Sequence, residues 1–152
     1  DLSALLTALA GDYRATIHDQ GITLGDSVSP GLTVSGDVDM LETVFENLLD
    51  NAVSFAPRDS RLQLNATLHE GWIEITLDDQ GPGVAPELLE RIFERHVSIR
   101  PDAADSVAAG NFGIGLWICR RHIAVHGGTI TAANRPDGGL RMCVRLPARP
   151  ST

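Results

Sequence analysis

The sequence predicts a two-layer α/β (α+β) sandwich: one mixed, mainly antiparallel sheet with about three helices packed on one face. Three observations carry this prediction. Residues 61–77 alternate apolar and polar side chains in two runs around Glu70-Gly71, the pattern of a hairpin with one buried face. Leu41, Val44, Phe45, Leu48, Ala52 and Phe55 recur at helical spacing and trace one apolar stripe. Two more strand-like runs, Thr129–Ala133 and Leu140–Leu146, follow a third helical segment and enlarge the sheet.

The elements follow in order. Leu2, Leu5, Leu6 and Leu9 space out as an amphipathic helix running to Tyr13 or beyond. Ile22–Leu24 and Leu32–Val34 read as two brief strands separated by Ser29-Pro30-Gly31. Asp37 is the N-cap of the strongest helix, and Pro57 stands just past its end. In the hairpin, Leu62, Leu64, Ala66 and Leu68 alternate with Arg61, Gln63, Asn65 and Thr67, then Ile73, Ile75 and Leu77 with Trp72, Glu74 and Thr76. One apolar side per strand places the helices on one face only. From Asp79 to Asn111 the patterning weakens, apart from a short helical piece at Pro86–Phe93. A helix is expected from Gly115 to about Val125, with Gly127 as its C-cap. In the final strand Leu140, Met142, Val144 and Leu146 face one way and Arg141, Cys143 and Arg145 the other.

A length of 152 residues, 43% hydrophobic and 21% charged, fits one domain over residues 1–152 with a sizeable core. No apolar run approaches the roughly 20 residues that span a bilayer, and no signal-peptide pattern is present. The formal charge of -8 and a pI near 4.9 argue against nucleic acid or an anionic membrane as partner. Cys119 and Cys143 make neither a disulfide framework nor a zinc site, and a reducing compartment is the simpler reading. His122 and His126 stand one helical turn apart, but no third zinc ligand is evident nearby. All 12 basic residues are Arg. A P-loop and a protein-kinase strand both need a Lys on the phosphates, so any nucleotide site here must be of another type. The chain begins at Asp1 rather than Met and reads as a piece of something longer.

Three constellations carry chemistry. Asn47, Asn51 and Ser54 stand at i, i+4 and i+7 on the strong helix and share a stripe beside the apolar one. Amide oxygens suit a hard cation such as Mg²⁺, although two Asn bordering a core face and meeting water fit as well. Asp78-Asp79-Gln80-Gly81-Pro82-Gly83 follows a strand directly. Its glycines allow a flat ligand to approach, and a buried Asp can accept from an exocyclic amine; an acid-capped Gly-Pro turn is the plainer alternative. Gly110-Asn111-Phe112-Gly113-Ile114-Gly115-Leu116 opens a helix. Backbone N–H groups there favour phosphate, and close helix–strand packing explains the glycines equally well.

In their order and spacing these motifs resemble the ATP-binding catalytic domain of two-component sensor histidine kinases. That domain has the Bergerat-type ATP-binding fold shared with gyrase, Hsp90 and MutL. The Asn-bearing helix resembles the N box, Asp79-x-Gly81-x-Gly83 the first glycine box and Phe93 the F box. Gly113-x-Gly115-Leu116 resembles the second glycine box, and His126-Gly127-Gly128 the usual His-Gly-Gly. The resemblance covers nearly the whole chain. It implies that Asp79 receives the adenine amino group, that Gly81 and Gly83 shape the adenine pocket, and that Gly113 and Gly115 offer N–H groups to the phosphates. Asn47 and Asn51 would line the phosphate side, with Asn51 foremost on Mg²⁺. Glu46 would assist the attacking group or, in the related ATPases, act as base for water. Glu94 to Phe112 would form a lid, from which Arg95 could fold over the γ-phosphate of ATP; a solvated Arg is the other reading.

Two departures stand out: Ser54 where the family often has Lys or Arg, and Asn111 where the second glycine box often begins with Gly. The resemblance also implies partners, namely the dimerisation and phosphoacceptor domain of the same protein and, by phosphorelay, a response regulator. The domain would be cytoplasmic, touch no membrane itself and belong to a parent of the inner-membrane sensor type. None of the five His lies in a phosphoacceptor context, so the chain alone is expected to bind ATP without labelling itself. An ATP hydrolase of the gyrase, Hsp90 or MutL kind and a non-catalytic nucleotide-binding module are the alternatives.

Overall fold

The computed structural model describes residues 1–94 and 109–149. Its α-helices are α1 (Leu2–Ile17), α2 (Val38–Phe55) and α3 (Ala109–Val125), and its strands are β1 (Thr23–Val28), β2 (Arg61–His69), β3 (Trp72–Asp78), β4 (Thr129–Asn134) and β5 (Leu140–Pro147). Short 3-10 turns occupy His18–Gln20, Pro86–Leu88 and Arg91–Phe93. The sheet runs β1-β2-β3-β5-β4, with β1 parallel to β2 and every other pair antiparallel. The predicted mixed, mainly antiparallel sandwich is therefore the observed one.

Period-2 alternation builds the core. Leu62, Leu64 and Ala66 of β2, Ile73, Ile75 and Leu77 of β3, and the even-numbered residues Leu140 to Leu146 of β5 are all buried, whereas Leu68, expected on the same face, is exposed near the end of β2. They meet Leu6 and Leu9 of α1 and the stripe Leu41, Val44, Phe45, Leu48 and Leu49 of α2 in one cluster. Burial of such side chains is the main stabilising term, at about 25 cal/mol per Å² of apolar surface. The other sheet face carries Gln63, Asn65, Glu74, Thr76, Arg141 and Arg145, exposed or half-buried. Caps fix the helix starts: Asp1 Oδ1 accepts from Ala4 N at 2.9 Å, and Asp37 Oδ1 from Met40 N at 3.1 Å.

Three boundaries differ from the sequence prediction. Leu32–Val34 is no strand. The Leu32 carbonyl accepts from Leu2 N and Ser3 N, and the Thr33 carbonyl from Arg149 N, so this backbone closes against the start of α1 and the segment after β5. The edge strand instead extends through Gly25-Asp26-Ser27, residues of poor strand propensity held by pairing to β2. Arg14 reinforces it, donating to the Leu24 carbonyl at 3.0 Å and to Asp26 at 2.6 Å. Finally, α3 starts at Ala109 rather than Gly115. Each interior Gly costs a helix about 1 kcal/mol. The helix runs through these glycines nonetheless, and its buried face Leu116, Cys119 and Ile123 packs on the core.

Candidate functional site

The end of β3 turns two adjacent carboxylates to opposite faces. Asp79 keeps the parity of Leu77 and Ile75 and is 3% exposed on the helix side; Asp78 points to the open face. Asp79 is pinned by its backbone and its side chain together. Its N–H donates to the Leu140 carbonyl at 2.9 Å, and its Oδ1 accepts from Leu140 N at 3.1 Å and Gly81 N at 2.9 Å. These bonds orient the carboxylate. Gly139, at φ +93°, presses on the Asp79 carbonyl so closely that any Cβ would overlap it.

Gly83, at φ +74°, shapes the loop beyond. A Cβ there would stand 2.7 Å from Asn134 Oδ1. Asn134 clamps the next residue at both ends, accepting from Val84 N at 2.9 Å and donating to the Val84 carbonyl at 2.5 Å. Gly81 supplies the N–H that Asp79 holds. Sequence reasoning passed over Asn134, Arg135 and Gly139. The glycine pair at 138–139 signals a turn, but nothing local says that this turn packs against Asp79.

On α2 the Asn residues diverge in environment. Asn51 is 3% exposed, and its side-chain amide makes no hydrogen bond among the described residues. An amide buried without a partner costs roughly 1–3 kcal/mol, which a ligand could recover. Its oxygen is the donor type that a hard cation takes, so Mg²⁺ fits this position. Asn47, one turn earlier, packs on α3: its Oδ1 lies 3.4 Å from where a Gly115 Cβ would be. Ser54 is exposed at the end of the stripe.

The Glu46 carboxyl interacts with Glu42 and lies near Asp50 of its own helix and the Tyr13 hydroxyl of α1. The Tyr13 hydroxyl donates to the Glu46 carbonyl at 3.2 Å and to Asp50 Oδ1 at 2.6 Å. Burial, then a hydrogen bond with Glu42, then the charges of Glu42 and Asp50, hold the Glu46 carboxyl above its ordinary range. Burial and the neighbouring Asp50 likewise raise the Tyr13 hydroxyl.

Helix α3 brings the second glycine pair alongside. Gly113 and Gly115 lie inside it, Leu116 is buried, and the Cys119 thiol reaches the Val44 carbonyl at 3.5 Å. Burial pushes that thiol up to about 12. The helix ends on His126, whose Nδ1 lies 2.7 Å from the His122 carbonyl while its Nε2 accepts from Asp37 N at 3.0 Å. The ring therefore ties the end of α3 to the start of α2, over Gly36, where no Cβ fits. Phe93 is buried beneath the Arg120 guanidinium, 5.2 Å from its ring centroid. Arg95 and the expected lid lie outside the described residues over 95–108.

Residues 36–150 match the model of the family described as histidine kinase-, DNA gyrase B-, and HSP90-like ATPase. The chain is 35% identical over 147 residues to the signal transduction histidine-protein kinase BaeS of Escherichia coli (strain K12), covering 97% of this chain and 31% of that protein. It is 33% identical over 148 residues to the sensor-like histidine kinase SenX3 of Mycobacterium tuberculosis (strain ATCC 25618 / H37Rv), covering 97% and 36%. The chain thus spans about a third of the length of these curated relatives. Among solved structures it is similar to the ATP binding domain of PrrB from Mycobacterium tuberculosis, with 28% identity, TM-score 0.74 and coverage of 99% and 96%. It is also similar to full-length ShkA in complex with AMPPNP, with 28% identity, TM-score 0.82 and coverage of 100% and 31%.

Proposed function

Because this chain belongs to the histidine kinase-, DNA gyrase B- and HSP90-like ATPase family, we propose that it is the ATP-binding catalytic domain of a two-component sensor histidine kinase. The observation that carries the reading is the Asp79 carboxylate, buried at 3% exposure and aimed by Gly81 N and Leu140 N. An acceptor held in that way selects a purine bearing an exocyclic amine, adenine, over one bearing a carbonyl. The names of BaeS and SenX3 favour the kinase over other members of the family.

In this reading Gly81 and Gly83 leave room for the adenine ring, and Asn47 and Asn51 line the phosphate side. Asn51 would hold Mg²⁺, which neutralises phosphate charge when bound. Gly113 and Gly115 would give N–H groups to the phosphates. Inside a helix those groups bond the carbonyls four residues back, so nucleotide entry would require the first turns of α3 to open. Arg95 would add a guanidinium over the γ-phosphate. The acceptor His nitrogen attacks the γ-phosphorus, the bond to the β–γ bridging oxygen breaks, and ADP leaves. Glu46, with its raised carboxyl, would take the proton of the acceptor imidazole.

The acceptor would sit on the dimerisation domain of the same protein, which would pass the phosphoryl group to a response regulator. Among the described residues no helix is long and apolar enough to cross a membrane. A cytoplasmic position beneath an inner-membrane sensor fits that and the acidic surface. Incubation with γ-labelled ATP and the parent's His-bearing dimerisation domain tests the reading. Acid-labile label on that domain, and none on this chain alone, is expected. Stable label on this chain alone would overturn it, and rapid phosphate release abolished by Glu46→Gln would favour the hydrolase reading.

A further inference from the structure

We propose that the open face of the sheet carries a second site, for a small phosphate group, free or as a monoester, coupled to the nucleotide carboxylate behind it. A cavity of about 220 Å³ opens there, lined by Arg61, Gln63, Asp78, Gln80 and Arg135. That volume falls below the ~300–1,000 Å³ typical of drug-sized ligands and suits a compact anion.

The charge arrangement is the opposite of the chain's average. With a formal charge of -8, an unselected surface patch would be acidic. Here the lining holds Arg61 and Arg135 against one carboxylate, Asp78, a formal excess of one positive charge, and Arg141 beside it pairs with Asp78. Arg141 takes Asp78 with both arms, Nε to Oδ1 at 2.6 Å and Nη2 to Oδ2 at 2.8 Å. Arg135 Nε stands off at 3.8 Å from Oδ2. The Arg61 guanidinium meets no acceptor among the described residues, and it lies over β1, where Gly25 leaves space for it. Arg61 N donates to Gln80 Oε1 at 2.7 Å, which fixes the Gln80 carboxamide beside the cavity. Two guanidiniums and an oriented carboxamide offer paired N–H groups, and planar forks match phosphate oxygens two at a time.

The site is joined to Asp79 through backbone. Arg135 Nη1 donates to the Asp79 carbonyl at 3.0 Å, and Gln80 follows Asp79 directly. An anion that draws on Arg135 therefore acts on the peptide that aims the Asp79 carboxylate at the other face. The coupling, unlike the binding, rests on the nucleotide reading above.

The test is an NMR titration of the isotopically labelled chain, without nucleotide, using inorganic phosphate and separately glycerol phosphate at matched ionic strength. Saturable shifts at the Gln80 side-chain amide and at the Arg61 and Arg135 Nε–H are expected. The probe that saturates at the lower concentration tells free phosphate from an ester. Arg61→Gln should weaken this binding about tenfold. Arg61 is exposed, so this variant should keep the fold; Arg135→Gln, which also frees the Asp79 carbonyl, is the second variant. Shifts confined to the Asn51 and Gly115 amides, or shifts no greater than chloride produces, would overturn the site. In the second arm, saturating phosphate should change the affinity for ATP, and ATP that for phosphate, by the same factor. A phosphate affinity indifferent to bound ATP would overturn the coupling. Failure to bind ATP at all would sink the nucleotide reading, whereas the phosphate titration would still decide the anion site by itself.

Discussion

Replacing Asp79 by Asn separates its two tasks. The bonds from Gly81 N at 2.9 Å and Leu140 N at 3.1 Å both end on Oδ1, and an Asn carbonyl oxygen can accept both. Both bonds should therefore be kept. The remaining atom changes from an acceptor to an NH₂ donor, which would face the NH₂ donor of adenine. A hydrogen bond to a charged group contributes about 1.5–3 kcal/mol, so ATP affinity should fall roughly 10- to 150-fold. Guanine carries a carbonyl where adenine carries the amine, so the ratio of ATP to GTP affinity should fall further still. Calorimetry with both nucleotides, beside a thermal melt of each variant, reads this directly. Unchanged ATP affinity in a folded Asp79→Asn protein would refute the reasoning and leave Asp79 a purely structural carboxylate. Loss of folding would be the other refutation, since it would mean that the charge, not the acceptor geometry, holds the loop.

Asn51→Ala removes a buried amide with no partner among the described residues, so stability should change by less than about 1 kcal/mol while Mg²⁺-dependent ATP affinity falls around tenfold. Calorimetry with magnesium and with chelator separates the two effects, and a large stability loss with binding intact would make the residue structural. Gly139→Ala places a methyl on the Asp79 carbonyl at a φ of +93° and should destabilise by roughly 2–4 kcal/mol, read by urea unfolding. Tyr13→Phe loses the bonds to Asp50 and to the Glu46 carbonyl, at a cost of about 1 kcal/mol near neutral pH. The raised Tyr13 hydroxyl sets a sign: its contribution is whole below the unfolded Tyr value of about 10 and is lost as pH rises beyond it. The variant's stability should accordingly fall less steeply than that of the unaltered protein from pH ~9 to ~11.

Local patterns made half of the candidate site legible. Asp79, Gly81 and Gly83 fall within five residues after a clear strand, and Asn47 and Asn51 one turn apart on a clear helix, so period and spacing marked them as candidates and the family resemblance supplied their expected roles. The supporting half comes from far along the chain. Gly139, Arg135 and Asn134 reach Asp79 and Val84 only because β3 pairs with β5 in the register Asp78↔Arg141, which carries the β4–β5 turn across the strand end. A hairpin turn has the same glycines whether it meets water or packs on a carbonyl, so the sequence could not tell the two apart. The start of α3 was misplaced for a related reason. Glycine propensity argues for a late start, and the packing that offsets it is non-local.

The two adjacent carboxylates show how far a local rule can reach. Nothing in their chemistry distinguishes Asp78 from Asp79. Strand parity does, because Leu77 faces the helices and a residue two places on must share that side. Parity alone therefore assigns Asp79 to the layer that holds Asn51 and Gly115, and Asp78 to the open face. What parity cannot supply is the environment that gives each its role. Backbone N–H groups meet Asp79 because Leu140 starts the neighbouring strand, and guanidiniums meet Asp78 because Arg141 and Arg135 stand on the strand and turn beside it. The same register thus builds an acceptor aimed inward and a cationic basin aimed outward, one peptide bond apart. A ligand on either face should be felt on the other.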